Sequence, residues 1–110
     1  MQEEETMLLN ADKDNLKLLY SEGFSVVDFY GVNCGPCKLL APVLEKIESE
    51  LPFINIIKVN TDDFPNYSKE YEITGVPTLL FVKDGEIKER RMGFMPEAQL
   101  KEIIAQYLYD

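Results

Sequence analysis

Apolar residues along the chain follow two different periods, and each change of period marks a new element. Phe24–Tyr30 is apolar on both alternating faces apart from Ser25 and Asp28, which is typical of a central strand covered on both sides. From Cys34 onward the apolar positions recur at helical spacing, and Pro42 inside that helix is expected to kink it. A buried strand that leads directly into a long helix is therefore the centre of the predicted fold.

Shorter segments on either side of this centre are assigned from the same patterns. Residues 6–9, 53–59 and 78–82 have the composition and length of strands. Asp12 is predicted to cap a short helix that ends before Gly23. Residues 62–71 are predicted to form another short helix, with Tyr67 and Tyr71 on one side.

The last third of the sequence predicts a hairpin followed by a helix. Asp84-Gly85 is a turn signal that leads into a strand over residues 87–92, whose run of charged side chains is typical of an exposed sheet edge. Pro96 opens a final amphipathic helix. The resulting order, β-α-β-α-β-α-β-β-α, predicts an α/β fold: one central mixed sheet of four to five strands, flanked by about four helices on both faces.

Length, charge and composition limit what this fold can do. The chain has 110 residues, which we expect to form a single domain over residues 1–110, with residues 1–5 as a loose acidic leader. Eleven basic and twenty acidic residues give a net charge of −9, the opposite of the positive surface that binds nucleic acid or anionic membranes. Histidine is absent, which excludes Ser-His-Asp and Cys-His catalysis within this chain.

The N-terminal residues and the cysteine count predict a location. The first residues lack the basic start and apolar core of a secretory signal, and no apolar run approaches the ~20 residues that span a bilayer. We therefore expect a cytoplasmic protein that does not enter membranes. In that compartment a Cys-x-x-Cys pair is expected to be catalytic or metal-binding rather than a structural crosslink.

The strongest candidate for chemistry is Cys34-Gly35-Pro36-Cys37-Lys38, placed between the buried strand and the long helix. If Cys34 caps this helix, its sulfur lies at the positive end of the helix dipole. Pro36 has no N–H, so the backbone of Cys37 is the donor available to that sulfur. Both effects favour the thiolate and lower the pKa of Cys34, and Lys38 adds positive charge nearby.

The same placement makes the two thiols unequal. Cys37 lies one turn into the helix, where we expect less dipole stabilisation and more burial. Cys34 is then the group that attacks a target disulfide, and Cys37 resolves the mixed disulfide that results. Gly35 and Pro36 keep the turn tight and stiff, which holds the sulfurs within bridging range. The alternative interpretation is half of a zinc site, but two cysteines and no histidine cannot supply four ligands from one chain.

An ordered set of motifs resembles the thioredoxin family of the Cys-Gly-Pro-Cys type. The set is collinear from about Phe24 to the C-terminus, with a looser fit before it. Its members are Val27-Asp28-Phe29-Tyr30, Cys34-Gly35-Pro36-Cys37-Lys38, Ala41-Pro42, Lys58-Val59-Asn60, Gly75-Val76-Pro77-Thr78, Lys83-Asp84-Gly85 and Gly93. Thioredoxin is itself the standard example of a lowered Cys-x-x-Cys pKa, so the direction of that shift agrees with the resemblance and is not independent of it.

The resemblance implies a dithiol reductant of protein disulfides that carries no bound cofactor apart from its redox-active disulfide. Asp28 resembles the family's buried carboxylate, which exchanges a proton with the resolving thiol through a water. Lys58 resembles the lysine near this acid, although strand periodicity alone favours a solvated lysine. Pro77 resembles the cis-proline beside the disulfide, which leaves the backbone of Val76 free to pair with an extended substrate segment.

A docking rim around Cys34 is expected to contact such segments. Beside Gly35 and Pro36 of the motif, this docking rim comprises Asn33, Val76, Pro77, Met92, Gly93 and Phe94. Core packing at the end of an edge strand is an equal alternative for Met92 and Phe94. Asn33 and Tyr30 stand where the family usually has tryptophan, which bears on the choice of partner and on redox potential but not on dithiol chemistry.

The expected partners are a thioredoxin reductase, either flavin-dependent or ferredoxin-linked, and disulfide-containing target proteins, with the chain itself a monomer. Two other functions stay open at this point. One is a metal or iron–sulfur module in which two chains pool four cysteines. The other is a thioredoxin-like binding or regulatory module whose dithiol is incidental.

Overall fold

A computed structural model describes residues 8–109 and shows a five-stranded sheet between two layers of helices within that range. The elements follow the predicted order. They are β1 (Leu8–Asn10), α1 (Leu16–Leu19), β2 (Phe24–Tyr30), α2 (Gly35–Glu50), β3 (Asn55–Asn60), α3 (Pro65–Glu70), β4 (Thr78–Lys83), β5 (Glu86–Met92) and α4 (Glu97–Leu108). The predicted acidic leader, together with Thr6 and Met7 of the predicted first strand, lies outside the described residues.

The sheet is mixed, as predicted, with strand order β1-β3-β2-β4-β5. β3 runs parallel to both β1 and β2, whereas β4 runs antiparallel to β2 and to β5. A two-residue turn joins β4 to β5, with positive φ at both Asp84 and Gly85, the conformation that Asp-Gly favours. β2 is thus the central strand, paired on both sides.

Helices cover both faces of the sheet. Alternate residues of β2 point to opposite faces, so this strand contributes apolar side chains to both cores. Phe24 and Val26 pack in one core with buried residues of α2 and α4. Val27 and Phe29 pack in the other core with Leu16 of α1 and Tyr67 of α3. The alternation puts Asp28 on the same face as Val26, the face that α2 covers.

Three predicted boundaries were wrong, each because of a local turn. Residues 53–54 do not belong to β3, since the N–H of Ile54 donates to the carbonyl of Leu51 and Phe53 is 60% exposed. α3 begins at Pro65 rather than residue 62, because the Asn60 side chain accepts the N–H groups of both Asp62 and Asp63. The helix predicted to be capped by Asp12 starts only at Leu16.

A buried polar residue in β2 provides a test of the packing. Ser25 is fully buried, and its hydroxyl has no hydrogen-bond partner among residues 8–109. An unpaired buried hydroxyl costs about 1–3 kcal/mol. We expect Ser25→Ala to raise the free energy of unfolding by about 1 kcal/mol, measured by urea denaturation. Ser21→Ala, which removes an exposed hydroxyl bonded to the Leu18 carbonyl, is the control and should give no gain. A destabilised Ser25→Ala would contradict this account.

Candidate functional site: a disulfide at a helix N-terminus

The predicted motif forms a disulfide at the junction of β2 and α2. Cys34 and Cys37 are bonded through their sulfurs, with their Cα atoms 5.2 Å apart. A loop of three residues separates the end of β2 from Cys34, and Cys37 lies in the first turn of α2. The pair therefore lies at the edge of the sheet where the parallel strands β2 and β3 both end.

Cys34 is the N-cap of α2, as the sequence predicts. Its backbone is extended, with φ −130° and ψ 107°, and its carbonyl accepts the N–H of Lys38 at 3.2 Å. Its sulfur accepts the N–H of Cys37 at 3.1 Å. This donor and the helix dipole both act on one sulfur, so in the dithiol state they favour the Cys34 thiolate.

Burial distinguishes the two cysteines less than expected. Cys34 is 8% exposed and Cys37 is 6% exposed. Asn33, Gly35, Pro36 and Lys38 around them are exposed, so the disulfide lies just beneath an open surface. The difference between the two sulfurs therefore comes from the N-cap position and its hydrogen bond.

Asp28 is a buried carboxylate paired with one lysine. Its side chain is almost fully enclosed, and one oxygen lies 3.4 Å from Lys58 Nζ, while Oδ1 has no hydrogen-bond partner among the described residues. Burial raises the pKa of Asp28 from 3.8 to about 6, although the Lys58 ammonium opposes the shift. Asp28 is paired with Lys58 in the strand register. The prediction of a solvated lysine from strand periodicity is therefore wrong, because the Lys58 side chain is partly buried against the carboxylate of Asp28.

A groove of about 270 Å³ lies beside the disulfide and reaches Lys58 of this ion pair. Cys37 and Lys58 both line it, together with Lys38 and Tyr30. The ring of Tyr30, which replaces a usual tryptophan, lies beneath Lys58, with Nζ 4.6 Å from the ring centroid. Lys58, the ion-pair partner of Asp28, therefore lines the same groove as Cys37.

Part of the docking rim lies directly beside Cys34. The Val76–Pro77 peptide is cis, as the resemblance implies, and the Val76 carbonyl oxygen lies 3.7 Å from Cys34 Sγ. Pairing of β4 begins only at Thr78, so Val76 precedes the ladder. The N–H of Gly93 donates to the Pro77 carbonyl at 2.8 Å. Asn33, Met92 and Phe94 are exposed, so the core alternative for Met92 and Phe94 does not hold.

Sequence reasoning missed Asp62, which holds the loop before Cys34. Its Oδ2 accepts the N–H of Val32 at 2.8 Å. Gly31 lies in the same loop, where an added Cβ would be 3.5 Å from the same oxygen and 3.9 Å from Cys34 Cβ, both ordinary van der Waals distances. The parallel pairing of β2 and β3 is the signal that could have found Asp62, since the loops after both strands meet at one edge.

Within residues 8–109, no three Cys, Asp or Glu side chains are grouped so as to hold a metal ion. The helices of residues 8–109 are also too short or too polar for any of them to cross a bilayer.

A cysteine pair that is bonded at a helix N-terminus, with a backbone N–H directed at one of its sulfurs, can exchange disulfides with other thiols, which is the chemistry of a thiol–disulfide oxidoreductase. The family model described as Thioredoxin matches residues 5–106. The chain belongs to the thioredoxin family, and its class of activity is that of a protein-disulfide reductase.

Individual relatives agree with this assignment. The chain is 40% identical to thioredoxin of Mycoplasmoides gallisepticum, over 80% of this chain and 88% of the relative. It is 35% identical to thioredoxin of Chlamydia trachomatis, over 92% and 99% respectively. A solved structure from work on the thiol-resolving mechanism in yeast mitochondrial 1-Cys peroxiredoxin via glutathione/thioredoxin systems has a TM-score of 0.80 at 30% identity. That match covers 89% of this chain and 94% of the other.

Proposed function

We propose that this chain passes electron pairs from a reductase to disulfides of other proteins, with Cys34 as the nucleophile and Cys37 as the resolving thiol. The observation that carries the proposal is the Cys37 N–H directed at Cys34 Sγ at the N-terminus of α2. It stabilises charge on one sulfur of the pair and not on the other. Lys38, exposed beside the pair, adds positive charge to the same end of the helix.

The reaction has two exchange steps. The Cys34 thiolate attacks one sulfur of the target disulfide, forming a mixed disulfide and releasing the other target sulfur as a thiolate. Cys37 then loses its proton and attacks Cys34 Sγ, which breaks the mixed disulfide and releases the second target thiolate. The target gains two electrons, and the chain loses two as the Cys34–Cys37 bond forms.

Asp28 is the proposed acceptor of the proton that Cys37 gives up, with a water as the relay. Its pKa of about 6 lets the carboxylate take and return a proton near neutral pH. Lys58 keeps that pKa from rising further and lines the same groove as Cys37. Lys58 is therefore proposed as a positioning residue for Asp28.

The docking rim is proposed to hold the target as an extended segment. Val76 lies before the β4 ladder and against Cys34, so its backbone is placed to pair with an added strand. The exposed side chains of Met92 and Phe94 offer apolar contact. Gly93, which lies between them, donates a backbone hydrogen bond to the Pro77 carbonyl. Asn33 adds a small polar group where the family usually has tryptophan.

The proposed partners and location follow from the family. The electron donor would be a thioredoxin reductase, flavin-dependent or ferredoxin-linked, and the targets would be proteins with accessible disulfides. We further propose that the chain works in the cytoplasm as a monomer without a resident cofactor, and so contributes to electron transport and cell redox balance. Family membership supports the proposed partners.

The two other functions are less favoured. A metal or iron–sulfur module would need both sulfurs as ligands, whereas here they are bonded to each other. A binding module with an incidental dithiol would not require the N-cap hydrogen bond on Cys34 or the buried acid beside the groove of Cys37.

The proposal is tested by stoichiometric electron transfer. The reduced, desalted protein is mixed with insulin, and both partners are analysed by mass spectrometry. We expect about one insulin disulfide to be reduced per chain, while Cys34 and Cys37 become bonded. In a glutathione buffer poised at about −240 mV, the chain should be mostly disulfide, whereas an oxidant would be mostly dithiol. The control is a variant carrying both Cys34→Ser and Cys37→Ser. Equal insulin reduction by this variant, or a wild-type dithiol that stays reduced, would contradict the proposal.

A further inference from the structure

One oxidisable side chain in the docking rim takes no part in the proposed exchange steps. Met92 ends β5, is 60% exposed and pairs with Thr78 in the strand register. Its sulfur lies against Gly75, where an added Cβ would approach Sδ to 3.0 Å. Gly75 belongs to the segment that continues through Val76, the residue beside Cys34 Sγ. The thioether of Met92 therefore packs against the short segment, Gly75–Val76, that also contacts Cys34.

We propose that Met92 is a peroxide-modification site, and that its oxidation to the sulfoxide weakens the docking of targets. The first half needs only the exposure and chemistry of the thioether. The second half rests on the proposed function, because it assumes that extended target segments lie across the docking rim.

The modification balances with hydrogen peroxide as the only co-reactant. The Met92 sulfur donates an electron pair to one peroxide oxygen, an S–O bond forms and the O–O bond breaks. The sulfur is oxidised by two electrons. The other oxygen is reduced and leaves as water, after taking the proton of the oxygen that was transferred. The apolar thioether becomes a polar, chiral sulfoxide.

The structure provides an internal comparison for selectivity. Met95, three residues further on, is 4% exposed and packs in the core beneath α4. Peroxide must reach the sulfur to react with it. The two thioethers have the same chemistry, so their oxidation rates should differ because of their exposure. We expect Met92 to be oxidised about tenfold faster than Met95 in the folded protein.

The position of the sulfoxide predicts which kinetic parameter changes. Apolar contact between Met92 and a target segment is lost when the side chain becomes polar. The N-cap hydrogen bond on Cys34 and the Asp28–Lys58 pair do not include Met92. We therefore expect KM for insulin to rise about threefold after oxidation of Met92, with kcat changed by less than about twofold.

The test begins with the disulfide form, in which Cys34 and Cys37 are protected from peroxide. After treatment with hydrogen peroxide, peptide mapping by mass spectrometry follows the gain of one oxygen at each methionine, including Met1 and Met7. The disulfide is then reduced with dithiothreitol and insulin reduction is measured. Met92→Leu and Met95→Leu are treated in parallel, and each rate is divided by that of the same variant before treatment. Methionine sulfoxide reductases should restore the wild-type KM.

The outcomes separate this inference from the proposed function. A rise in KM in the wild type and in Met95→Leu, but not in Met92→Leu, supports the proposal. An equal rise in Met92→Leu, or oxidation of Met95 as fast as that of Met92, overturns it. A protein inactive before treatment would contradict the proposed function instead, and the peptide mapping would still decide whether Met92 is the modified residue.

Discussion

Replacing Cys37 with serine is expected to leave the protein covalently attached to its targets. Cys34 keeps its N-cap position and the backbone N–H that stabilises its thiolate, because that donor belongs to the main chain of residue 37. The first exchange step therefore proceeds, while the second has no thiol to complete it. We expect catalytic turnover to fall by at least about 10²-fold, and mixed disulfides through Cys34 to accumulate. Non-reducing electrophoresis and mass spectrometry of the trapped complexes measure both results.

The matched variant is Cys34→Ser, which should lose turnover without trapping any target. Cys37 lies in the first turn of α2 and is not the sulfur that accepts the capping N–H. A related measurement is alkylation by iodoacetamide at neutral pH, where Cys34 should react faster than Cys37 and with a pKa below the usual thiol value. Equal trapping by the two single variants would mean that either thiol can attack the target disulfide first, contrary to the roles proposed for Cys34 and Cys37.

Substituting Asp28 with asparagine is expected to change the pH dependence of stability strongly between pH 4 and pH 8. The pKa of Asp28 is raised from 3.8 to about 6 in the folded protein, first because of burial. Between pH 3.8 and about pH 6, the Asp28 carboxyl holds a proton in the folded protein that it has released in the unfolded chain. Stability contributed by Asp28 is therefore fully present below pH 3.8 and is lost as the pH rises to about 6. The loss is on the order of 3 kcal/mol.

Asp28→Asn removes this titration while keeping the shape of the side chain. The difference in unfolding free energy between variant and wild type should grow in favour of the variant from pH 4 to pH 8, by on the order of 3 kcal/mol in urea denaturation. Because the comparison is made between two pH values, any difference in packing energy that does not depend on pH cancels. A difference that does not depend on pH would show that Asp28 titrates alike in both states.

The same variant tests the proposed proton acceptor. The second exchange step should slow by at least about tenfold near neutral pH, since asparagine cannot accept the proton of Cys37. Lys58→Met is the matched control, because it keeps the length of the side chain and removes the charge that lowers the pKa of Asp28. In that variant the pKa of Asp28 should rise further, and the rate profile should move to higher pH. An unchanged profile in both variants would remove Asp28 and Lys58 from the mechanism.

Much of the fold was predictable because its elements differ in their hydrophobic period. The apolar run of β2, interrupted only by Ser25 and Asp28, and the helical spacing in α2 each require burial on particular faces, and the structure buries those faces. The boundaries at residues 12, 53 and 62 were not predictable in the same way. They depend on single hydrogen bonds, such as those that the Asn60 side chain accepts, and these bonds leave no periodic trace.

The candidate site was only partly predictable. The N-cap geometry of Cys34 follows from the motif itself, since the strand, the helix and Pro36 are local features. The contact of Val76 with Cys34 Sγ joins residues far apart in the sequence, and a family resemblance was needed to suggest it. Asp62 and the contact of Met92 with Gly75 were not found, because nothing local to either residue indicates its partner.

The sequence alone determined the helices and strands, the hairpin and the different positions of the two sulfurs relative to the helix N-terminus. These features depend only on the spacing of nearby residues and on backbone capping. Tertiary packing alone decided that Asp28 is enclosed with Lys58, that Asp62 holds the loop before Cys34, and that Met92 lies beside the loop of Pro77. The physical reason is that burial and Coulomb interactions depend on which strands become neighbours, and the order β1-β3-β2-β4-β5 is set by the whole chain.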